Sequence, residues 1–475
     1  MDLHLEQQQI PCLILCAHRS TEERFSADFV VPDSLPDAAD LLLTEGELCL
    51  WRLDLSDGSA ELEGEISARI CFADEHGTPT GFPVSVPVSL RMRAEAIETG
   101  QKPFLRCCVT TLNAHLLNSR KVRIQALLHC SLSTYRASDV TVTTGLSSEN
   151  QKLFSRTETV CVPFVSAVEE QVFTAEETLP LRLGIPKDGR LISYGSVPIA
   201  DVCECADQRV ILKGKVRTEV LYQDAEKQEL VSEFIETPFS CLMDVNGEVS
   251  MCRLSLHLTN EEICCRNDEP AVDTAFHLVA QAVCYAEQEV ECLTDAYCNR
   301  AQLMLNWETL ELPRFEYLEE QNVLEDDVPC EISGQSISAA RAAQHGEGFA
   351  ITVLLRDSEQ KISSVTSALK TELNLDGLVW TEQPMLKQCD TGLTVRLPVF
   401  THPESEETFA LRVLTEAKLD EEIKTVTSGV TLLKREGTDD LWELAKRNAS
   451  SIQAIKAANP DREQESSWIV IPHVK

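Results

Sequence analysis

The chain has 475 residues, of which 43% are hydrophobic and 25% charged, and its formal net charge is −35. This hydrophobic content argues against a disordered protein. The excess of acidic over basic residues argues against a protein that binds nucleic acid or an anionic membrane, since both need a basic surface. At about 100–200 residues per domain, the length predicts roughly three or four domains.

The amino-terminal residues and the cysteines indicate a compartment. Residues 1–18 contain no lysine or arginine, so we expect no secretory signal, and no run of about 18 apolar residues predicts a membrane span. We therefore expect a cytoplasmic protein whose nineteen cysteines are mostly buried, reduced thiols, with oxidative cross-linking left open. No CxxC pair occurs, and neither a metal site nor a cofactor is predicted.

Short apolar and alternating runs in residues 1–150 predict strands separated by turns such as Asp57-Gly58. The predicted strands of this region are 10–16, 48–55, 62–72, 105–112 and 122–132.

The stretch 209–245 has the same pattern as residues 59–95. Its alternation predicts a strand that ends at Tyr222 and a polar turn at 224–227. A second run with strand character covers 230–235, and Thr237-Pro238-Phe239 is predicted to end it at Pro238. A shift of 150 positions matches seven pairs, and Pro87 corresponds to Pro238. The matched pairs are Leu62 and Leu212, Gly64 and Gly214, Ile66 and Val216, Ala68 and Thr218, Ile70 and Val220, Phe72 and Tyr222, and Asp74 and Asp224.

A third and weaker copy runs from Phe349 to Asp357, with Glu347 in place of the glycine. Internal repetition of this kind determines the architecture. We therefore predict a mainly β fold of three repeated β-sandwich-like or barrel-like units followed by a small α+β domain. The predicted boundaries are 1–150, 151–298, 299–427 and 428–475.

Residues 428–475 form a separate module that holds seven basic and seven acidic residues, so the body carries the whole excess of acid. Asp439 or Asp440 is placed to cap one helix, and Ser450 or Ser451 to cap a second helix that ends at Asn459-Pro460. The predicted elements are a strand at 430–433, helices at 441–448 and 452–458, and a strand at 468–472.

The order Asp440-Leu441-Trp442, then Asn459-Pro460, then Ile469-Val470-Ile471-Pro472 resembles a LysM domain. It departs from that family at Thr438-Asp439-Asp440 and at Glu465-Ser466-Ser467, two loops that usually line the family's sugar groove. The resemblance therefore implies a recognition module, and the departures make glycan binding doubtful.

The repeated units resemble the SPOCS domain of sporulation proteins in Gly214, Tyr222, Asp224 and the stretch Thr237-Pro238-Phe239-Ser240. With a terminal LysM-like module, the chain is similar to the SipL-like family of spore-coat morphogenesis proteins. That resemblance implies a cytoplasmic location on the mother-cell side of the forespore. It also implies binding to a morphogenetic ATPase of the stage IV sporulation protein A type and to other coat proteins, with self-association left open.

No phosphate-binding loop, GxSxG, HExxH or kinase motif occurs, so we predict a non-enzymatic scaffold. One alternative is LysM-mediated binding to peptidoglycan, an N-acetylglucosamine polymer, and a hydrolase with an unrecognised site is another. Trp442 has two interpretations, as a core residue of the small module or as an anchor for the partner. The residues predicted to bind the partner are Leu441, Trp442, Lys446, Arg447, Asn459 and Ile471.

Overall fold

The computed structural model describes residues 3–206, 208–317, 320–329, 335–373, 375, 377–389, 392–420, 429–434, 440–460 and 468–474. Strands account for 76% of it and helices for 4%, which confirms the prediction of a mainly β fold with a small helical region at the carboxyl end. The predicted boundary at 427/428 lies outside the described residues. Among those residues, no helix has the length and apolar composition needed to cross a membrane.

Residues 1–150, 151–298 and 299–427 are called the first, second and third segments. The first contains β1 (Leu3–Val30), β2 (Asp40–Ser56), β3 (Ser59–Ala73), β4 (Pro79–Arg93), β5 (Lys102–Asn118) and β6 (Lys121–Ser148). The second contains β7 (Leu153–Pro180), β8 (Ser193–Ala206), β9 (Arg209–Gln223), β10 (Leu230–Asp244), β11 (Met251–Cys265) and β12 (Ala271–Cys298).

The third segment is built from shorter strands. It contains β13 (Leu303–Tyr317), β14 (Glu320–Pro329), β15 (Ser336–His345), β16 (Gly348–Arg356), β17 (Ile362–Lys370), β18 (Gly377–Thr381), β19 (Met385–Cys389) and β20 (Gly392–Leu419). The remaining residues, called the tail, contain β21 (Val430–Lys434), α1 (Leu441–Arg447), α2 (Ile452–Ala458) and β22 (Trp468–Pro472).

Each segment has a long antiparallel pair of strands, called its stem. The stems are β1 with β6, β7 with β12, and β13 and β14 with β20. Their outgoing strands begin at Leu3, Leu153 and Leu303, which are 150 residues apart. β1, β6, β7, β12 and β20 each have 28 residues, far longer than an ordinary strand.

A bulge interrupts each stem at an equivalent threonine, which the strand pairing skips. Thr144, Thr294 and Thr415 each lie 23 positions after the start of their strand, since β6, β12 and β20 begin at 121, 271 and 392. Each hydroxyl donates to a carbonyl of the partner strand. The acceptors are Glu6 (3.2 Å), Arg156 (3.0 Å) and Asn306 (3.2 Å).

The three stems pack against one another through equivalent positions. A single core cluster contains, besides Ile10, nine residues at equivalent positions, three on the outgoing strands and six on the returning strands. These are Cys12, Val162 and Leu312; Val140, Val290 and Leu411; and Val142, Cys292 and Val413. Each stem therefore buries an apolar stripe against the other two, which explains how strands of this length keep a covered face.

Between the two strands of its stem, each segment contains a three-stranded meander, with β3, β9 or β16 in the centre. In the first two meanders, a neighbouring strand bulges at Trp51 or Asp201 directly beside Gly64 or Gly214. A Cβ at either glycine would collide with a carbonyl oxygen of that strand. The glycines are therefore required by close approach of the backbone.

Two other matched positions also have equivalent surroundings. Phe72 and Tyr222 are fully buried, and the Tyr222 hydroxyl donates to Glu233 over 2.7 Å. Asp74, Asp224 and Asp357 each follow a central strand, and each Oδ1 accepts two backbone N–H groups of the turn. These aspartates hold the turn closed in the manner of an Asx turn.

The prediction that the second strand ends at Pro238 is wrong. β10 continues through Pro238, which pairs with Lys215, and Pro87 pairs with Glu65 in the same way within β4. β4 and β10 are both edge strands, where proline is tolerated because its missing N–H can face away from the sheet.

The third meander is shorter, and this accounts for its missing glycine. β16 has nine residues where β3 and β9 have fifteen. Glu347 lies in the turn between β15 and β16, so no bulged strand faces it.

The first two segments are not self-contained units, because they share a nine-stranded sheet in the order β4-β3-β2-β11-β12-β7-β1-β6-β5. Single residue pairs join them, Cys49 with Leu258 and Leu13 with Val165. Where separate sandwiches or barrels are predicted for the first two segments, one open sheet crosses the boundary between them.

Buried charges also connect the segments. The Arg341 side chain, 2% exposed, lies with its Nη1 2.6 Å from Glu219 Oε1 and its Nε 3.5 Å from Glu45 Oε1. The three residues come from the third, second and first segments, and they line a cavity of about 610 Å³. Nearby, desolvation and the charges of Glu261 and Glu45 raise the pKa of Glu47 to about 8.

Candidate partner-binding site on the carboxyl-terminal tail

The tail folds as the sequence predicts, with β21 and β22 paired antiparallel beside two short helices. Asp440 caps α1 by accepting the Trp442 N–H over 3.0 Å, and Ser451 caps α2 by accepting the Ala454 N–H over 3.1 Å. These contacts satisfy backbone donors that the first turn leaves open. The two loops that depart from the LysM pattern, at 438–439 and 465–467, lie outside the described residues.

Asn459 and Ile471 hold the tail together from inside. The Asn459 amide donates to the carbonyls of Ile455 and Val470 and accepts the Val470 N–H, which fastens α2 to β22. Ile471 is fully buried in the tail's own core. Both side chains therefore have structural roles, and little of their surface is accessible to a partner.

Trp442 is 5% exposed and turned toward the second segment. Its indole ring meets Tyr297 edge-to-face at 4.9 Å, and its Nε1 donates to Asp295 over 2.7 Å. Lys446 Nζ binds the same carboxylate at 2.6 and 2.8 Å. Burial alone would raise the pKa of Asp295, but the hydrogen bonds from Lys446 and Trp442 lower it.

Further contacts complete this interface, which we call the dock. The Tyr297 hydroxyl donates to the Ser450 carbonyl over 3.0 Å, and the Asn299 amide donates to the same carbonyl and to that of Val474. Arg156 pairs with Asp440 at 2.7 Å. An apolar centre ringed by charged hydrogen bonds is the usual anatomy of a specific interface.

The dock is formed on the second segment and not on its counterparts. Asp295 and Tyr297 are residues 24 and 26 after the start of β12. The equivalent positions are Gly145 and Ser147 in β6 and Glu416 and Lys418 in β20. Neither alternative offers both a carboxylate and an aromatic ring, so the residues of the second stem select where the tail lies.

The outward face of the tail's two-stranded sheet carries large apolar side chains. Val430, Leu432 and Trp468 are exposed by 62%, 61% and 52%. They lie on one face of the β21–β22 sheet, because Leu432 pairs with Val470 and Trp468 with Lys434. Lys434 adds an exposed charge at the edge of this surface, which we call the outer face.

The six residues predicted to bind a partner therefore separate into groups. Trp442 and Lys446 form the dock, Asn459 and Ile471 hold the tail together, and Leu441 is partly buried beside the tail's core. Arg447 alone of the six has a largely exposed side chain, with its Nε 3.9 Å from Glu443.

Sequence reasoning missed the outer face and the dock for different reasons. The sequence shows that apolar residues alternate along β21, but it does not show which face of the strand the helices cover. Asp295 and Tyr297 belong to no motif, and their only signal is that they differ from the equivalent residues of the other stems. Of the residues described, no group of three His, Cys, Asp or Glu side chains is arranged to hold a metal ion.

No model of a known protein family, no curated protein and no solved structure matches this chain.

Proposed function

We propose that the chain is a non-enzymatic scaffold of the spore coat, in which three copies of one β unit form a platform and the tail recognises a partner. The equivalent threonine bulges, turn aspartates and stem core positions support common ancestry of the three segments. The SPOCS-like and LysM-like sequence features support placing this platform on the forespore, on the mother-cell side.

The observation that carries the recognition role is the outer face of the tail. Three large apolar side chains with more than half of their surface exposed stand together on a small module that is held in place by the dock. Exposed apolar clusters with a polar rim are typical of protein-binding surfaces. The proposed partner is a morphogenetic ATPase of the stage IV sporulation protein A type, as the family resemblance implies.

A capture assay with the full chain tests this proposal. Leu432→Glu places a charge in the outer face, so it should abolish capture of the purified ATPase. Leu117→Glu, at another exposed leucine in β5, is the matched control and should leave capture unchanged. Equal capture by both variants would contradict the recognition role.

The same variants distinguish the glycan alternative. The wild-type chain should remain in the supernatant when peptidoglycan is sedimented. Co-sedimentation that Leu432→Glu does not reduce, together with absent capture of the ATPase, would favour a cell-wall binder instead.

A further inference from the structure

Three cysteine side chains meet where the second meander contacts the nine-stranded sheet. Cys203 and Cys205 lie on β8, and Cys252 lies on β11. The Sγ atoms of Cys203 and Cys252 are 3.1 Å apart. β8 and β11 belong to different sheets, so a bond between these sulfurs would join two parts of the fold that otherwise only pack together.

The arrangement follows from the local backbone. β8 bulges at Asp201, beside Gly214, and after the bulge Cys203 and Cys205 point to the same face because they are two residues apart. β8 is also an edge strand, which leaves Cys203 exposed to solvent. Cys252 is buried in the apolar core of the second segment. One sulfur is thus accessible to a small oxidant, and the other is protected behind it.

The third thiol is the first of the three to ionise. Hydrogen bonds from Cys203 and Cys252 hold the pKa of the Cys205 thiol well below its usual range, and hydrogen bonding within the cluster raises the pKa of Cys203 and Cys252. Cys203 therefore reacts because solvent reaches it, and a base in the solvent must take its proton to form the reactive thiolate.

We propose that Cys203 and Cys252 are an oxidisable dithiol that a hydroperoxide converts into a disulfide between β8 and β11. A base in the solvent takes the proton of Cys203, and the Cys203 sulfur attacks the peroxide. The O–O bond breaks, an S–O bond forms, and the departing alkoxide or hydroxide takes up a proton. The sulfur of Cys252 then attacks the sulfenic acid, so that an S–S bond forms and water leaves. The sum is two thiols and ROOH giving a disulfide, ROH and water.

Cys107 and Cys130 form an internal comparison. Their sulfurs are 2.6 Å apart, closer than those of Cys203 and Cys252, and they lie directly opposite each other on β5 and β6. Desolvation and the neighbouring Cys130 raise the pKa of Cys107. Cys130 is fully buried. Distance alone would favour this pair, whereas solvent access favours Cys203.

Peptide mapping of the full chain under non-reducing conditions, before and after treatment with hydrogen peroxide, tests the proposal. The wild type should gain a peptide linked through Cys203 and Cys252, and its melting temperature should rise. Cys203→Ser and Cys252→Ser should lose both effects, and Cys107→Ser should keep both. Cys205→Ser should keep the link, because Cys205 is neither of the two sulfurs that form the bond.

Other outcomes would overturn the inference. No linked peptide in the wild type, a link at Cys107–Cys130 that forms first, or a link from Cys252 to the opposite Cys284 would each exclude it. Cys203→Ser changes an exposed side chain, so the melting curve of its untreated form distinguishes a lost disulfide from a lost fold. The proposed disulfide is independent of the proposed scaffold function, since the peptide map of the chain needs no binding partner.

Discussion

Single residues explain why the sequence pattern of the first two meanders is so closely shared. Gly64 and Gly214 occupy the point where a bulged neighbouring strand comes closest. The aspartates that follow each central strand stabilise the turn by accepting its backbone N–H groups. A glycine and an aspartate have these roles through backbone geometry, which is why sequence alone could point to them. Trp442 is the opposite case, because its neighbours come from a strand about 150 residues away.

Gly214→Val should destabilise the chain by about 1–3 kcal/mol, the usual range for overpacking at a closely packed position. The new Cβ would collide with the carbonyl oxygen of Ile199 and with the Phe239 ring. Thermal unfolding measures the effect. Gly195→Ala is the matched control, since its nearest contact would be an ordinary 3.7 Å from Glu45, and a Gly214→Val melt equal to that of the control would contradict the prediction.

Glu47 should make the protein less stable as the pH rises. Unfolded, the carboxyl ionises near pH 4.5, whereas burial and the charges of Glu261 and Glu45 raise its pKa to about 8 in the fold. The folded state therefore holds more protons between these values, and stability falls across this window. Glu47→Gln removes the loss, so its advantage in melting temperature over the wild type should grow from pH 5 to pH 8.

The exposed Glu63 on β3 provides the control for this measurement. Glu63→Gln should differ from the wild type by the same amount at both pH values. An advantage of Glu47→Gln that does not grow as the pH rises would show that Glu47 is already ionised in the fold.

Among the elements, the three stems resemble one another more closely than the three meanders do. The central strand of the third meander is six residues shorter than those of the first two, but the third stem has the same threonine bulge and core positions. Long strands with a covered face must keep their register, because a slip of one residue would turn the apolar stripe outward. A meander can become shorter at its turns without changing the register of its strands, so its apolar face stays covered.

From the contacts of the dock we predict that replacing Asp295 releases the tail from the second segment. Asp295→Ala removes the hydrogen bonds to Trp442 and Lys446, and bonds to a charged group contribute about 1.5–3 kcal/mol. Amide exchange in α1 should therefore become roughly tenfold faster or more. Glu416→Ala, at the equivalent position of the third stem, should leave this exchange unchanged, and equal effects of the two changes would contradict a specific dock.

The sign of the pH effect at the dock follows from the lowered pKa of Asp295. The ionised carboxylate is the form that binds, so the contribution is complete above the ordinary carboxyl range, near pH 4. It should be lost as the pH falls through the lower folded-state pKa. The protection factors of the α1 amides in the wild type, which are corrected for the intrinsic exchange rate, should thus fall in acid, and those of Asp295→Ala should not.

At the scale of the whole molecule, Arg341 joins the three segments through Glu45 and Glu219. Arg341→Ala should cost about 3–5 kcal/mol, because it leaves two largely buried carboxylates without their cation. Chemical denaturation measures the loss. Arg396→Ala breaks an exposed pair with Glu325 in the same segment and should cost about 1 kcal/mol or less. Similar costs for the two variants would mean that Arg341 does not hold the segments together.

Four features were predictable from the amino-acid sequence: the mainly β fold, the turn aspartates, the close-packed glycines and the two capped helices of the tail. Each of them depends on neighbours within a few residues or on a strict period of two. Other features emerge only in the folded chain: the stems share one core, the first two segments share a sheet, Trp442 faces Asp295, and Cys203 meets Cys252. These contacts join residues far apart in the chain, and no local pattern encodes which of several similar surfaces will meet.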